Sequence, residues 1–489
     1  MPKALIGLDL GTTACKGALL DLELNLLMSA EQSYPLMTLS AEEIEQDANH
    51  WWEVSKAVLQ RLVSGSGIDP ADVLAVSISA QGLSFVPVDR RGDPIRNAFN
   101  WLDTRAGRQR AEILGEFDER TLFSITGKRA STAYALPKLL WLKQEEPEIY
   151  SRCHKILMAM DFIVARLCGR FVTDHTMAGG TLYYDIHQRS WSRTILERFQ
   201  LDQDKLPGIE WSGTAAGTLR KEVAEELGLT DRVLVCVGGQ DQKVAAMGAG
   251  IDLERTTISL GTAMAITQKC LQPVTDQQMR IPCFTDLLNG RWVLEGSGIG
   301  TSCLDWLRAT FFENLSYDEL NAMVSAEDGK RNGVFLFPFF MGPDTLHPVQ
   351  GIQGFLYGLN FSTTRNQIVK SAFEGLAYQI RENIAVMEDI SKPVRELRVF
   401  GGGSKSKVWN QLIADVTAKP VVSLFTSETG CVGAGILAGL GAGAYSSAEQ
   451  AFRHLRIQTV YEPRATVAEQ YAEQYREYLR IQHRMIQSR

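Results

Sequence analysis

The chain has 489 residues, 45% hydrophobic and 22% charged, with Lys+Arg 50 against Asp+Glu 57 and a formal net charge of −7. This is the composition of a folded globular protein of about two to four domains, and it excludes a disordered chain. No basic run breaks the acidic balance, the cysteines form no CxxC pair and the histidines no HExxH. Nucleic acid, a disulfide framework and a dedicated zinc site are therefore not expected.

The N-terminal stretch Met1 to Leu10 is apolar but interrupted by Asp9 and too short for a signal h-region, so a cytoplasmic location without a membrane partner is expected. Residues 4–10 predict a strand, Gly11-Thr12-Thr13 a turn, and residues 16–22 a second strand, together a β-hairpin. Helices are predicted over 42–64 and 134–144, strands over 73–79 and 85–88. An apolar strand over 233–237 is expected to close at Gly238-Gly239.

The second half then repeats the opening. A strand over 256–260 runs into Gly261-Thr262 and a following strand over 263–267. A later strand over 397–400 leads into Gly401-Gly402-Gly403, as 234–237 leads into its own glycine pair. A period of about 250 residues suggests two related lobes with a boundary near 248–254, where a solenoid repeats every 20–50 residues. Ile368, Ala372, Leu376, Ile380, Ile384 and Met387 lie on one helical face, as do Val467, Tyr471, Tyr475 and Leu479. Strands alternating with helices make the fold class α/β.

Two Gly-Thr turns placed directly after apolar strands are good phosphate-binding devices, because glycine lets successive N–H groups approach an anion closely. One such turn alone is more simply a tight hairpin, but two at corresponding places carry more weight. The segment Gly433–Ala438 has the form G-x-G-x-x-A, yet it lies well beyond the strand over 421–425. Close helix packing is its better reading, and a dinucleotide site, with an oxidoreductase function, the rival one. The small-residue stretch from Thr429 to Ala448 likewise predicts a tightly packed internal helix. Asp9 ends the first strand beside its Gly-Thr turn, and Asp241 follows Gly238-Gly239-Gln240 at the mouth of another. Trp101-Leu102-Asp103-Thr104-Arg105 offers an aromatic, an acid and a base to a polyhydroxy ligand, or simply a surface ion pair.

These residues resemble the FGGY carbohydrate kinases, within the actin-like ATPases of duplicated ribonuclease-H-type fold. Gly354–Leu359, then seven residues, then Gln367–Glu374 is similar to the family's C-terminal signature, and the stretch around Pro137–Trp141 to its N-terminal one. The resemblance implies two actin-like lobes with a nucleotide cleft between them, an N-terminal sugar-binding domain over 1–248 and a C-terminal nucleotide-binding domain over 255–489. It implies ATP-dependent phosphorylation of a sugar hydroxyl with Mg²⁺, and leaves open a homodimer. Asp241 would be the catalytic base, and Asp9 and Asp241 would place the metal. Gly11, Thr12, Thr13, Lys16, Gly261, Thr262, Gly402 and Ser406 would hold ATP.

Gln81, Gly82, Leu83, Trp101, Asp103, Arg105, Asp241 and Gln242 would hold the sugar. The Trp-x-Asp-x-Arg and Gly-Gly-Gln-Asp motifs favour the xylulokinase-like subgroup and a pentulose such as D-xylulose. Gluconate, erythritol or glycerol is the alternative acceptor, and a non-catalytic nucleotide sensor the alternative from another class. Gly82 and Leu83 stand where xylulose and glycerol kinases resemble one another in carrying polar contacts, which predicts open space at Gly82 and an apolar wall at Leu83. Gln350 stands where arginine is frequent in the family.

Overall fold

The computed structural model describes residues 3–487 apart from 341, 343–345, 348 and 350, so Gln350 lies outside the described residues. The chain divides into two compact units. One comprises Met1–Gly250, Leu271–Val293 and Glu428–Leu455, the other Ile251–Cys270, Leu294–Ser427 and Arg456–Arg489. The division changes first at Gly250 and is not contiguous along the chain, because two later segments pack into the first unit.

In the first unit six strands run in the order Ala215–Thr218, Leu234–Gln240, Val73–Ala80, Ala4–Leu10, Ala14–Asp21, Leu26–Ser33. Ala4–Leu10 pairs antiparallel with Ala14–Asp21, which sets Asp9 opposite Lys16, and parallel with Val73–Ala80, which sets it opposite Ser79. The strand expected to stop at Val237 continues to Gln240 through a bulge at its glycines. A Cβ on Gly238 would come within 1.7 Å of the Ile78 carbonyl oxygen, so only glycine lets the two strands lie this close.

The helix predicted from residue 42 begins at Ala48, because Ile44–Gln46 is taken up as a strand beside Ala98–Phe99 and Asp47 caps the helix through Asn49 N–H. Helix Thr429–Gly441 is the internal helix expected from the small-residue stretch, with Thr429–Gly439 buried. A Cβ on Gly433 would meet the Val244 carbonyl oxygen at 1.9 Å, and one on Gly7 would meet that of Cys431 at 1.9 Å. The glycines of the G-x-G-x-x-A stretch therefore serve backbone approach between packed elements. Leu271–Val293 is held to the same unit by Lys128 Nζ donating to Cys283 O (3.1 Å) and Trp292 Nε1 donating to Ile186 O (2.9 Å).

The other large sheet orders seven strands as Cys283–Thr285, Trp292–Ile299, Ala263–Cys270, Arg255–Leu260, Glu396–Phe400, Val421–Leu424, Ile457–Tyr461. Arg255–Leu260 is antiparallel to Ala263–Cys270 and parallel to Glu396–Phe400, and an antiparallel strand closes the far edge. Cys283–Thr285 aside, both sheets share one succession: three strands that include an antiparallel Gly-Thr hairpin, two parallel strands, and an antiparallel edge.

Helix Arg365–Ile390 opens with a Thr364/Gln367 capping box and buries its apolar face. Helix Ala465–Gln487 buries Tyr471, Tyr475, Tyr478 and Ile481. Val467 and Leu479, expected on that face, are only half-buried, because a strict spacing of four drifts off a 3.6-residue turn. Among the described residues no helix is long and apolar enough to cross a membrane.

Candidate active site

Asp9 sits near the end of the first strand, inside the sheet of the first unit. Its Oδ1 accepts from Ser79 Oγ at 2.7 Å. Burial pushes its carboxyl pKa up, while the Ser79 hydrogen bond and the Lys16 charge pull it down and Glu428 raises it again. Lys16 Nζ is engaged with Glu428 Oε2 at 3.2 Å, directly before helix Thr429–Gly441. The Gly-Thr turn is fixed on every side. Tyr34 OH donates to Gly11 O, Gln46 Nε2 to Thr12 O (2.6 Å) and Trp101 Nε1 to Thr12 Oγ1 (3.0 Å). Thr13 remains exposed.

Behind this turn lies a buried amide cluster, of which motif reading singled out Gln81 alone. Gln81 Nε2 donates to Gln46 Oε1 at 2.8 Å, and Asn100 Nδ2 donates to Gln46 Oε1 (3.0 Å) and Gln81 Oε1 (3.2 Å). Lys138, fully buried, donates from Nζ to Asn100 O (3.0 Å) and Ala133 O (2.8 Å). Burial pushes its pKa down to about 7, with Asp103 opposing and Arg105 reinforcing that shift. Gln81 is thus held rigidly but is itself 1% exposed.

Asp103 and Arg105 depart from the expected direct contact with sugar. Asp103 is 0% exposed; its Oδ2 accepts from Ile44 N (2.8 Å) and Arg105 Nη2 (2.7 Å), and Arg105 Nη2 also reaches Glu45 Oε1 at 2.9 Å. The pair is buried because the strand Ile44–Gln46, read as helix from the sequence, covers it. Trp101, in contrast, is 36% exposed.

Asp241 opens helix Asp241–Gly248 and is half-buried. Its Oδ1 accepts from Gln242 N at 2.8 Å and from Gln240 Nε2. The loop facing it also departs from expectation. Gly82 is buried, and a Cβ there would stand 2.7 Å from Gln240 Cγ, so the anticipated open space is filled by the Gln240 side chain. Leu83 takes φ = 67°, and its Cδ2 would lie 2.5 Å from a Cβ on Gly180. The apolar residue packs on that glycine from a left-handed backbone that leucine adopts only when its surroundings enforce it.

In the second unit Gly261-Thr262 joins its two strands. Thr301 N donates to Gly261 O (2.7 Å) and Ser302 Oγ to Thr262 O (2.8 Å). Nearby, a cavity of about 400 Å³ is lined by Thr301, Leu304, Tyr317, Asn321, Gly402 and Ser406 among others. A Cβ on Gly402 would meet nothing within 4 Å, whereas one on Gly403 would meet Trp409 Cζ3 at 2.6 Å. Ser406 Oγ caps helix Lys407–Thr417 through Trp409 N (3.1 Å) and donates to Asn321 Oδ1 (2.6 Å). Tyr317 and Asn321 come from a helix with no motif, so no local signal pointed to them.

Among the described residues no three His, Cys, Asp or Glu side chains gather into a metal cage. Mg²⁺ needs no such cage, since it is commonly held by one or two carboxylates with substrate phosphates and water. Asp9, a carboxylate disfavoured by burial, is a donor that a divalent cation would suit.

The chain matches the FGGY family of carbohydrate kinases, N-terminal domain, over residues 4–248 and the C-terminal domain of the same family over residues 257–442. It is 29% identical to a xylulose kinase of Bacillus subtilis over 472 residues, covering 96% of this chain and 94% of that one. It is 27% identical to a xylulose kinase of Escherichia coli, covering 85% of each. In fold it resembles a ligand-bound xylulose kinase from Lactobacillus acidophilus, with a TM-score of 0.91 at 22% identity, covering 99% of this chain and 98% of that one. A gluconate kinase from the same organism gives the same TM-score and identity, covering 99% of each chain. The dinucleotide reading of Gly433–Ala438 falls away, and the repeated sheets take their place as the two actin-like, ribonuclease-H-like domains of a sugar kinase: the chain belongs to the FGGY family of carbohydrate kinases.

Proposed function

We propose that the acceptor is a pentulose, D-xylulose first, and that Asp241 is the general base. The observation that carries the catalytic part is the Asp241 carboxylate, half-exposed at a strand mouth with Oδ1 held by two donors. Those two donors fix the orientation of the carboxylate. The carboxylate orients the sugar hydroxyl toward the γ-phosphate of ATP and receives the hydroxyl proton as the new P–O bond forms and the bond from the γ-phosphorus to the departing ADP breaks. Phosphoryl transfer has a loose transition state, so this positioning and late proton removal suffice without a strongly basic group. The substrate preference rests on the curated relatives named xylulose kinase, which match along nearly the whole chain.

The first unit supplies the acceptor site from Trp101, Asp241 and Gln242, with the buried Gln81 bracing the turn behind it. Gly11–Thr13 and Lys16 take phosphate oxygens, for which Lys16 would leave Glu428. Gly261-Thr262 is the corresponding phosphate device of the second unit, and the cavity at Gly402 and Ser406 takes the adenosine. Asp9 would hold Mg²⁺, with Asp241 the second candidate, and the cation would offset phosphate charge there.

The test is ADP release over a panel of D-xylulose, D-ribulose, gluconate, erythritol and glycerol. D-xylulose is expected to show the highest kcat/KM. Gluconate or glycerol preferred by more than about tenfold, a difference of about 1.4 kcal/mol, would overturn the pentulose reading.

A further inference from the structure

The Gly-Gly-Gln-Asp motif carries one further polar side chain beside the base. Gln240 directly precedes the base, and its backbone N–H donates to Thr176 Oγ1 at 2.9 Å. Thr176 Oγ1 in turn donates to the buried Asp174 Oδ2 at 2.7 Å, so the chain is pinned on the side away from Asp241. The side-chain amide is oriented by chemistry, since only Nε2 can donate to the Asp241 carboxylate. That leaves Oε1, a buried acceptor without a donor. Buried amide oxygens are nearly always paired, and one that is not calls for an explanation.

Position 82 supplies the second observation. The stem of Gln240 occupies the space a side chain there would need, with Cγ 2.7 Å and Nε2 3.1 Å from an ideal Cβ on Gly82. The absence of a side chain at 82 and the presence of a long polar one at 240 are thus two halves of one arrangement. The polar group missing from the loop over 81–84 is delivered from the strand that carries the base.

We propose that Gln240 is a specificity-determining residue: its NH₂ holds the Asp241 carboxylate while its orphaned Oε1 accepts a hydroxyl of the polyol, on the carbon next to the one phosphorylated. The acceptor class is therefore a vicinal diol, and an analogue lacking the second hydroxyl leaves Oε1 unpaired. This rests on the reading of Asp241 as base.

The experiment compares D-xylulose with its analogue deoxygenated next to the phosphorylated carbon, in wild type and in Gln240→Met, which keeps the volume and removes both polar atoms. Wild type is expected to prefer D-xylulose by about 10⁴-fold or more in kcat/KM, the range for sites that bond a substrate hydroxyl. In the Met variant that preference should fall below about tenfold, with the sugar KM raised more than kcat is lowered. An unchanged preference overturns the proposal.

A second arm needs no analogue. Gly82→Ala should raise the sugar KM about tenfold in wild type and leave it unchanged in a Gln240→Gly background, where the space is free. Equal cost in both backgrounds overturns the pairing of the two positions. Turnover retained by Asp241→Asn would instead refute the base assignment, which keeps the two failures separate.

Discussion

Three consecutive glycines in the second unit offer a sharp test of where ATP binds, because their surroundings differ. A Cβ at Gly402 projects into open space beside the 400 Å³ cavity, and the residue lies outside the left-handed region. Gly402→Ala should therefore fold as well as wild type, or gain about 0.4–1 kcal/mol from the stiffer unfolded chain. Gly403→Ala must push against the Trp409 ring at 2.6 Å and the Leu260 carbonyl oxygen at 3.0 Å. It should lose about 1–3 kcal/mol, the usual cost of overpacking.

Gly402→Val is the informative variant for function. If its branched side chain keeps roughly 80 Å² of the adenosine from apolar contact, at about 25 cal/mol per Å² the loss is about 2 kcal/mol. That corresponds to about a 30-fold weaker ATP Kd. Denaturant unfolding measures the first quantity and equilibrium titration with ATP the second. Wild-type ATP affinity in Gly402→Val would place the nucleotide elsewhere. A loss of stability in Gly402→Ala equal to that in Gly403→Ala would refute the reasoning from space.

Asp241→Asn should lower kcat by at least about a hundredfold, the lower range for a general base, while ATP affinity measured by titration stays near wild type. Asp103→Asn should destabilise by about 3–5 kcal/mol, because it leaves the buried Arg105 short of charge, with kcat/KM per folded molecule within about threefold of wild type. A far larger loss of kcat/KM at unchanged stability would restore Asp103 as a sugar contact. Lys138 is expected to lose its proton near pH 7 in the folded state, against 10.5 unfolded. Between those values the unfolded chain binds more protons, so unfolding free energy rises with pH. Relative to Lys138→Met, wild type should gain roughly 2–3 kcal/mol between pH 7 and 9 in parallel urea titrations. A flat difference would show that the amine is not desolvated.

The repeat was legible in the sequence because a strand, a Gly-Thr turn and a second strand are local events, written in adjacent residues and copied about 250 positions later. For the same reason Asp9 and Asp241 could be singled out: each stands where an apolar run stops at glycine. The internal helix over Thr429–Gly441 was legible from its small residues, but not that it packs in the first unit, since the backbone it approaches, at Gly7 and Val244, lies far away along the chain.

Tertiary structure alone decided the rest of the site. Asp103 and Arg105 read as ligand contacts until the strand Ile44–Gln46, some sixty residues earlier, covers them and takes their hydrogen bonds. Gly82 reads as empty space until Gln240 fills it. The amide cluster of Gln46, Gln81 and Asn100 has no motif, because its members come from three elements and meet only when those elements pack. A sequence shows which polar groups are available; which are spent on one another and which face a substrate depends on long-range packing, where each buried donor must find its acceptor.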